Sequence, residues 1–174
     1  MSAAQDDAVI RSAERLGRRL VQHGLMVATA ESCTGGLIAA ALTETAGASA
    51  WFDRGFVIYT NEAKMDLVSV RHSSLLRHGA VSEAVAQEMA RGALAHSRAQ
   101  LSVAVTGIAG PGGGSADKPV GTVCFAWALE DSGVRTATRH FDGDRANIRM
   151  LAARYALEEA LALLDAAEAA RTTA

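Results

Sequence analysis

The spacing of apolar and polar positions changes along the chain, and each change marks an element. Over residues 6–23, Ala8, Val9, Ser12, Leu16 and Leu20 share one face at helical spacing, with arginines and acids opposite and Gly24 as a stop. Residues 26–30 are a short apolar run of strand length, and 37–46 then read as a buried helix ended by Gly47. Residues 56–60 predict a second strand, and Asn61 suits the cap of a helix through NEAKMDLVSV. Ser82 suits the cap of the next helix, which is expected to reach about Ser97, with Glu83 in its first turn where negative charge complements the helix dipole. Residues 101–106 are a buried strand, followed by the glycine-rich stretch TGIAGPGGGSADKP. Strands over 122–129 and 134–141 flank the tight turn Asp131-Ser132-Gly133. A helix rich in alanine and leucine closes the pattern over about 144–168, with the final AARTTA expected to fray.

Strands alternate with helices first, and a hairpin comes late. That order predicts an α/β protein: a three-layer α/β/α sandwich around a mixed, mainly parallel sheet of about five strands. No repeat, linker or composition break divides the 174 residues, so one domain is expected. In open sheets of this kind ligands sit beyond the carboxyl ends of the strands. ESCTGG, TNEAK and TGIAGPGGG each follow a predicted strand directly, so all three are expected to converge on one site.

Composition narrows the function classes. A formal net charge of −2 gives no electrostatic case for a nucleic-acid or membrane partner. No apolar run approaches the roughly 18 residues of a membrane helix. The N-terminal MSAAQDDAVIRSAERL is charged throughout, unlike a secretory signal, so a cytoplasmic location is the expectation. Cys33 and Cys124 make neither a disulfide framework nor a zinc site, and the five histidines have no partners at ligand spacing, so no metal is expected. Trp51 and Trp127 are expected to pack in the core. Hydrophobic residues reach 49%, much of it alanine, which suits helices in close contact.

One bias bears on chemistry: of 17 basic residues only Lys64 and Lys118 are lysines. Arginine cannot release its proton near neutral pH, whereas lysine can. Ser32, at a strand-to-helix turn, can present its hydroxyl to a cleft, and the amides of Gly35 and Gly36 are expected to be free to meet an oxyanion or a phosphate. The same residues could simply form a helix cap, with Ser32 or Thr34 as the capping side chain. Cys33 is a rival nucleophile, but nothing nearby supplies a histidine base. Lys64 could serve as general base to Ser32. Bringing its pKa from about 10.4 to about 7 takes some 4–5 kcal/mol, of which a helix dipole supplies about 0.5–1. The pairing therefore requires Lys64 to be buried and next to Ser32; otherwise it is a solvated helix lysine.

Five glycines between Gly107 and Gly114 exceed what a plain connector needs and suit an anion nest. The stretch matches neither a Walker A loop nor GxGxxG. Lys118 either belongs to this loop or is solvated. In GDRANIR, Asp144 can cap the last helix, and Arg145 and Arg149 share a face, either to hold a phosphate or to pair with surface acids.

AESCTGG, GFVIYTNEAK, GAVSEAVAQEMARG, VAVTGIAGPGGGSADKPVGTV and FDGDRANIR, in this order, closely resemble the CinA C-terminal domain family over about residues 8–165. Stand-alone members of that family are nicotinamide mononucleotide (NMN) amidohydrolases; larger ones carry an additional N-terminal nucleotide-hydrolase domain, which is not expected here. The resemblance implies hydrolysis of NMN to nicotinic acid mononucleotide and ammonia, in pyridine-nucleotide salvage. It implies a small-molecule nucleotide substrate, no cofactor and a homodimer. By matching position it makes Ser32 the nucleophile and Lys64 its base, with Tyr59 beside them. Thr34, Gly35 and Gly36 would surround the reacting carbonyl. Thr106, Gly107, Gly110, Gly112, Gly113 and Arg145 would hold substrate. Ala99-Gln100 stands where many relatives have Ala-Asp, which implies a lost capping contact. Two other readings share these residues: a nucleotide-binding accessory protein in DNA uptake or repair that releases no ammonia, and an amidohydrolase whose substrate lacks phosphate.

Overall fold

A five-stranded sheet in the order β2-β1-β3-β4-β5 organises the protein in the computed structural model, which describes residues 3–172. Met1, Ser2, Thr173 and Ala174 lie outside the described residues; of AARTTA, expected to fray, residues 169–172 continue the last helix. In chain order the elements are α1 (Ala3–His23), β1 (Val27–Glu31), α2 (Leu37–Glu44), β2 (Phe52–Val57), α3 (Asn61–Val68), α4 (His72–His78), α5 (Glu83–Ala95), β3 (Leu101–Gly107), β4 (Thr122–Leu129), β5 (Gly133–His140) and α6 (Arg145–Thr172). β1 pairs in parallel with β2 and β3, whereas β4 is antiparallel to both β3 and β5. Only β4 therefore runs against the other four strands, and the sheet is mixed but mainly parallel, as the element order predicts.

The reversal of β4 matters to the site. Because β5 returns in the direction of β1, β2 and β3, its carboxyl end reaches the same edge and starts α6 there. A fourth segment, GDRANIR, thus joins the three expected at that edge.

Side chains alternate across the central strands and make two unlike faces. One carries Val103, Val105, Phe125 and Trp127, packed with Leu16, Leu20, Ile38, Ile148 and Leu157 of α1, α2 and α6. Trp127 is fully buried and its indole donates to the Ala156 carbonyl at 2.8 Å, while Trp51 packs at the margin of the same core. The other face is built of small residues, Ala30, Ala104, Ala126 and Ala128, so α5 lies close with Met89 and Ala90. α3 comes closer still: a Cβ on Gly92 would stand 1.8 Å from the Val68 carbonyl oxygen, so only glycine fits. None of the helices among the described residues is long and apolar enough to cross a membrane.

Three expectations from the pattern need correction. β2 lies at Phe52–Val57, ahead of the apolar run at 56–60. Register with β1 decides this: Val27 pairs with Phe52 and Glu31 with Val57, and the chain then leaves the sheet. As an edge strand with Asp53 and Arg54 in it, β2 lacks the apolar signal of the others. The helix expected through NEAKMDLVSV stops at Val68, where Ser69 turns left-handed (φ 57°) with its amide on the Lys64 and Met65 carbonyls; a separate α4 follows. Its cap is Thr60, whose hydroxyl accepts from the Ala63 amide at 3.1 Å, and not Asn61. The Ser82 and Asp144 caps are as expected. Gln100 also keeps a contact at its position, its side-chain oxygen accepting from the Met26 amide at 3.0 Å.

Candidate active site

β1 ends in Glu31, and the chain turns over Ser32–Gly36 before α2 begins. The sequence places a carboxylate on the last residue of a fully buried strand, and its acceptors must be met locally. α2 meets them: Glu31 accepts from the amides of Gly36 at 3.0 Å, Ile38 at 3.1 Å and Ala39 at 2.8 Å. Glu31 is thus the cap of α2, and neither Ser32 nor Thr34 fills that place. This frees the Ser32 hydroxyl. It also corrects the expectation of unoccupied glycine donors, since the Gly36 amide serves Glu31 and the Gly35 amide donates to the Ser32 carbonyl at 3.1 Å.

Lys64 reaches the freed hydroxyl from the other side. It leaves the first turn of α3 and is only 1% exposed, and its amine lies 3.1 Å from Ser32 Oγ, which belongs to a residue 8% exposed. Its other two contacts are backbone carbonyls, Ile58 at 3.0 Å and Tyr59 at 3.3 Å. No carboxylate touches the amine among these contacts, so burial dominates and pushes the Lys64 pKa below the usual lysine range. The burial and proximity demanded by the pairing are both present. Cys33, next in sequence, is buried, and burial pushes its thiol up to about 12, with its own amide pulling the other way. A thiol so raised is a poor nucleophile near neutral pH.

Arg149 braces the same turn from α6. Its Nε donates to the Cys33 carbonyl at 3.0 Å and an Nη to the Thr34 carbonyl at 2.7 Å. Arg145, one helical turn earlier and exposed, donates to the Gly110 carbonyl at 2.9 Å and to the Tyr59 hydroxyl at 3.0 Å. The two arginines therefore do different things, although they share a helix face. Tyr59 is divided too: its carbonyl faces Lys64, while its exposed phenol faces Arg145.

The glycine-rich loop is partly fixed and partly open. Thr106 is buried and its hydroxyl donates to the Ala80 carbonyl at 3.0 Å, and a Cβ on Gly107 would strike Val123. Gly110 (φ 77°) precedes a cis Pro111 and would clash with Val120 if it bore a side chain. Gly112 and Gly113 are exposed, and their amides have no acceptor among the described residues. Lys118 belongs to the fixed part, donating to the carbonyls of His78 at 2.9 Å and Val81 at 2.7 Å. No group of His, Cys, Asp and Glu able to hold a metal occurs among the described residues.

Ser32, Lys64, Thr34, Arg145 and the glycine-rich loop thus share one edge of the sheet. Glu31 escaped sequence reasoning altogether, although an acid closing an otherwise apolar strand was the available signal. Arg149 was noticed only as a partner of Arg145. The arrangement provides a hydroxyl, a buried amine at hydrogen-bond distance, and an exposed arginine beside unpartnered glycine amides.

Comparison with known proteins points the same way. Residues 10–164 match the model of the CinA C-terminal domain. A nicotinamide-nucleotide amidohydrolase PncC of Enterobacter agglomerans is 55% identical over 146 residues, 84% of this chain and 89% of that protein. The protein of the same name from Escherichia coli (strain K12) is 50% identical over 153 residues, 88% of this chain and 93% of its own length. The crystal structure of a competence/damage inducible protein, CihA, from Agrobacterium tumefaciens superposes with a TM-score of 0.87 at 52% identity, covering 91% of this chain and 96% of that one.

Proposed function

The chain belongs to the CinA C-terminal domain family, and from that premise we propose that it is an amidohydrolase that converts nicotinamide mononucleotide to nicotinic acid mononucleotide and ammonia through a Ser32–Lys64 pair. The observation that carries this reading is the 3.1 Å contact between a buried lysine amine and a serine hydroxyl. A neutral amine has two hydrogens and one lone pair. The Ile58 and Tyr59 carbonyls take the two hydrogens, which leaves the lone pair directed at Ser32 Oγ. Burial favours that neutral form, so the amine can accept the serine proton as the oxygen attacks.

Ser32 Oγ adds to the carboxamide carbon, and its proton passes to Lys64. The resulting ammonium returns that proton to the departing nitrogen, the C–N bond breaks and ammonia leaves. Water then attacks the acyl-serine ester with Lys64 again as base, and the carboxylic acid departs as Ser32 recovers its proton. The substrate phosphate is assigned to Arg145 and the amides of Gly112 and Gly113. Among the described residues Arg145 contacts only neutral acceptors, and an anion would displace them with a stronger, charge-assisted pair. Tyr59 would then line the phosphate end of the site through its phenol.

Ammonia release from NMN, measured with and without chelator, tests the reading. Full activity is expected in both, and none from Ser32→Ala. A Ser32→Ala protein that released ammonia at the parent rate would remove Ser32 from the mechanism. A folded parent protein that bound NMN but released nothing would favour a binding role instead.

A further inference from the structure

Hydrolysis at Ser32 requires a donor for the oxyanion that forms at the carbonyl, and the glycine amides expected to supply it are occupied. The turn shows what remains. Ser32 donates its amide to the Val105 carbonyl at 3.0 Å, Gly35 donates to Ser32, and Gly36, Ile38 and Ala39 donate to Glu31. The Cys33 amide has no acceptor in another described residue, and its plane is set within the turn itself, by the Gly35 amide on the Ser32 carbonyl. The Thr34 amide has no acceptor among the described residues, in a residue that is fully buried.

Arg149 explains where that amide points. In a trans peptide the carbonyl and the following N–H point in opposite directions. The Cys33 carbonyl is held by Arg149 Nε at 3.0 Å, so the Thr34 N–H of the same plane is turned away from α6. α6 packs with α1 and α2 on one face of the sheet, and α3, which carries Lys64, packs with α5 on the other. The Ser32–Gly36 turn lies between them at the sheet edge, with Arg149 behind it and the Ser32–Lys64 pair in front. An N–H facing away from Arg149 therefore faces the side on which Ser32 Oγ meets Lys64. The second bond, from Arg149 to the Thr34 carbonyl at 2.7 Å, fixes the next peptide plane, so that one guanidinium holds Thr34 from both sides.

The geometry points to the Thr34 amide as the donor that meets the developing oxyanion, and to Arg149 as the positioning residue that aims it. The inference rests on the Ser32 reading above. Arg149 never touches substrate in this scheme. It fixes the peptide plane before the reaction begins, and by donating to the Cys33 carbonyl it polarises the peptide and makes its N–H a better donor. Only the transition state has the negative oxygen that uses this, so the contribution belongs in kcat and not in substrate affinity.

The test is steady-state ammonia release from NMN by Arg149→Met and Arg149→Lys proteins across a pH series, with thermal melts alongside. Loss of aim is expected to lower kcat by about 10- to 100-fold, less than the 10²–10³ typical of deleting an oxyanion donor outright. KM should stay within about three-fold, and Arg149→Lys, able to reach one of the two carbonyls, should recover part of the loss. The acid limb of the pH profile should keep its position while its height falls. A limb displaced to higher pH would overturn the assignment, because Arg149 would then act by its charge on Lys64. A folded Arg149→Met protein with parent kcat would overturn it as well. If Arg149→Met fails to fold, replacing the Cys33–Thr34 amide by an ester removes the N–H itself. A loss of about 10²–10³ in kcat then upholds the proposal, and a parent rate ends it. Ser32→Ala serves in parallel: its full activity would bring down the Ser32 reading, whereas an inactive Ser32→Ala beside fully active Arg149 and ester variants would bring down this inference alone.

Discussion

Replacing Glu31 with glutamine tests whether a buried carboxylate holds the Ser32–Gly36 turn in place. The side chain accepts three amides on two oxygens, with Gly36 and Ile38 on Oε2 and Ala39 on Oε1. A glutamine can keep the first two by turning its carbonyl that way, and its NH2 then faces the Ala39 N–H, donor against donor. One hydrogen bond to a charged acceptor is lost, at about 1.5–3 kcal/mol. A negative charge also disappears from the start of α2, where such charges stabilise by about 1 kcal/mol. Relief from burying a charge opposes both terms. We expect a net loss of about 2 kcal/mol, which for a domain of this size is a fall in Tm of about 4–8 °C. Urea unfolding should show the midpoint falling with an unchanged slope, since no new surface is exposed. Activity should fall with stability, because Ser32 is the next residue and its turn hangs from the same cap. A midpoint unchanged to within about 0.5 kcal/mol would refute the reasoning, since the three bonds would then be replaceable by a neutral amide.

As the proposed base Lys64 must be neutral, so kcat/KM should rise with pH along a limb set below the usual lysine pKa of about 10.4; a limb at or above that value would contradict the burial argument. The same group affects folding. With its folded pKa below the unfolded one, the native state binds fewer protons between those two values, so stability should fall as pH drops from about 10.4 and level off below the folded pKa. Lys64→Met should remove that slope, read by urea midpoints at several pH values, along with the activity. Arg145→Ala should raise KM for NMN by about 10- to 100-fold, the worth of a charge-assisted phosphate contact, and leave the KM for nicotinamide riboside, which has no phosphate, nearly unchanged. Cys33 should resist iodoacetamide at pH 8 in the native protein, as measured by intact mass, because it is buried and its thiol is raised to about 12.

Where apolar periodicity was strong, the sequence led to the right element. β1 and β4 are buried along their full lengths and β3 over all but Gly107, and the turn before β5 falls one residue ahead of the expected place, with Gly133 already in the strand. It misled at β2, an edge strand whose place is set by pairing with β1 and not by its own apolar run. α4 was missed because RHSSLLRH has too few turns to show a period. The Ser32–Lys64 encounter could be required from energetics but not located, since it depends on β1 and β2 lying side by side. The donors could not be assigned at all. Which amides of ESCTGG are occupied depends on Glu31 folding back onto α2 and on Arg149 arriving from more than 100 residues away, and neither leaves a local pattern.

The reversed fourth strand also bears on how the protein comes into being. Val27 must wait for its partner Leu101, and α6 reaches the sheet edge only after the β4–β5 hairpin has closed. A nascent piece ending at Ser132 already contains the hydroxyl and the amine, yet has nothing behind the turn to steady it. If Ser32 and Arg149 act as proposed, full turnover should appear only when the last helix docks. On that reading, two fragments divided at that hairpin should each lack full activity, and their reunion could be followed by ammonia release from NMN.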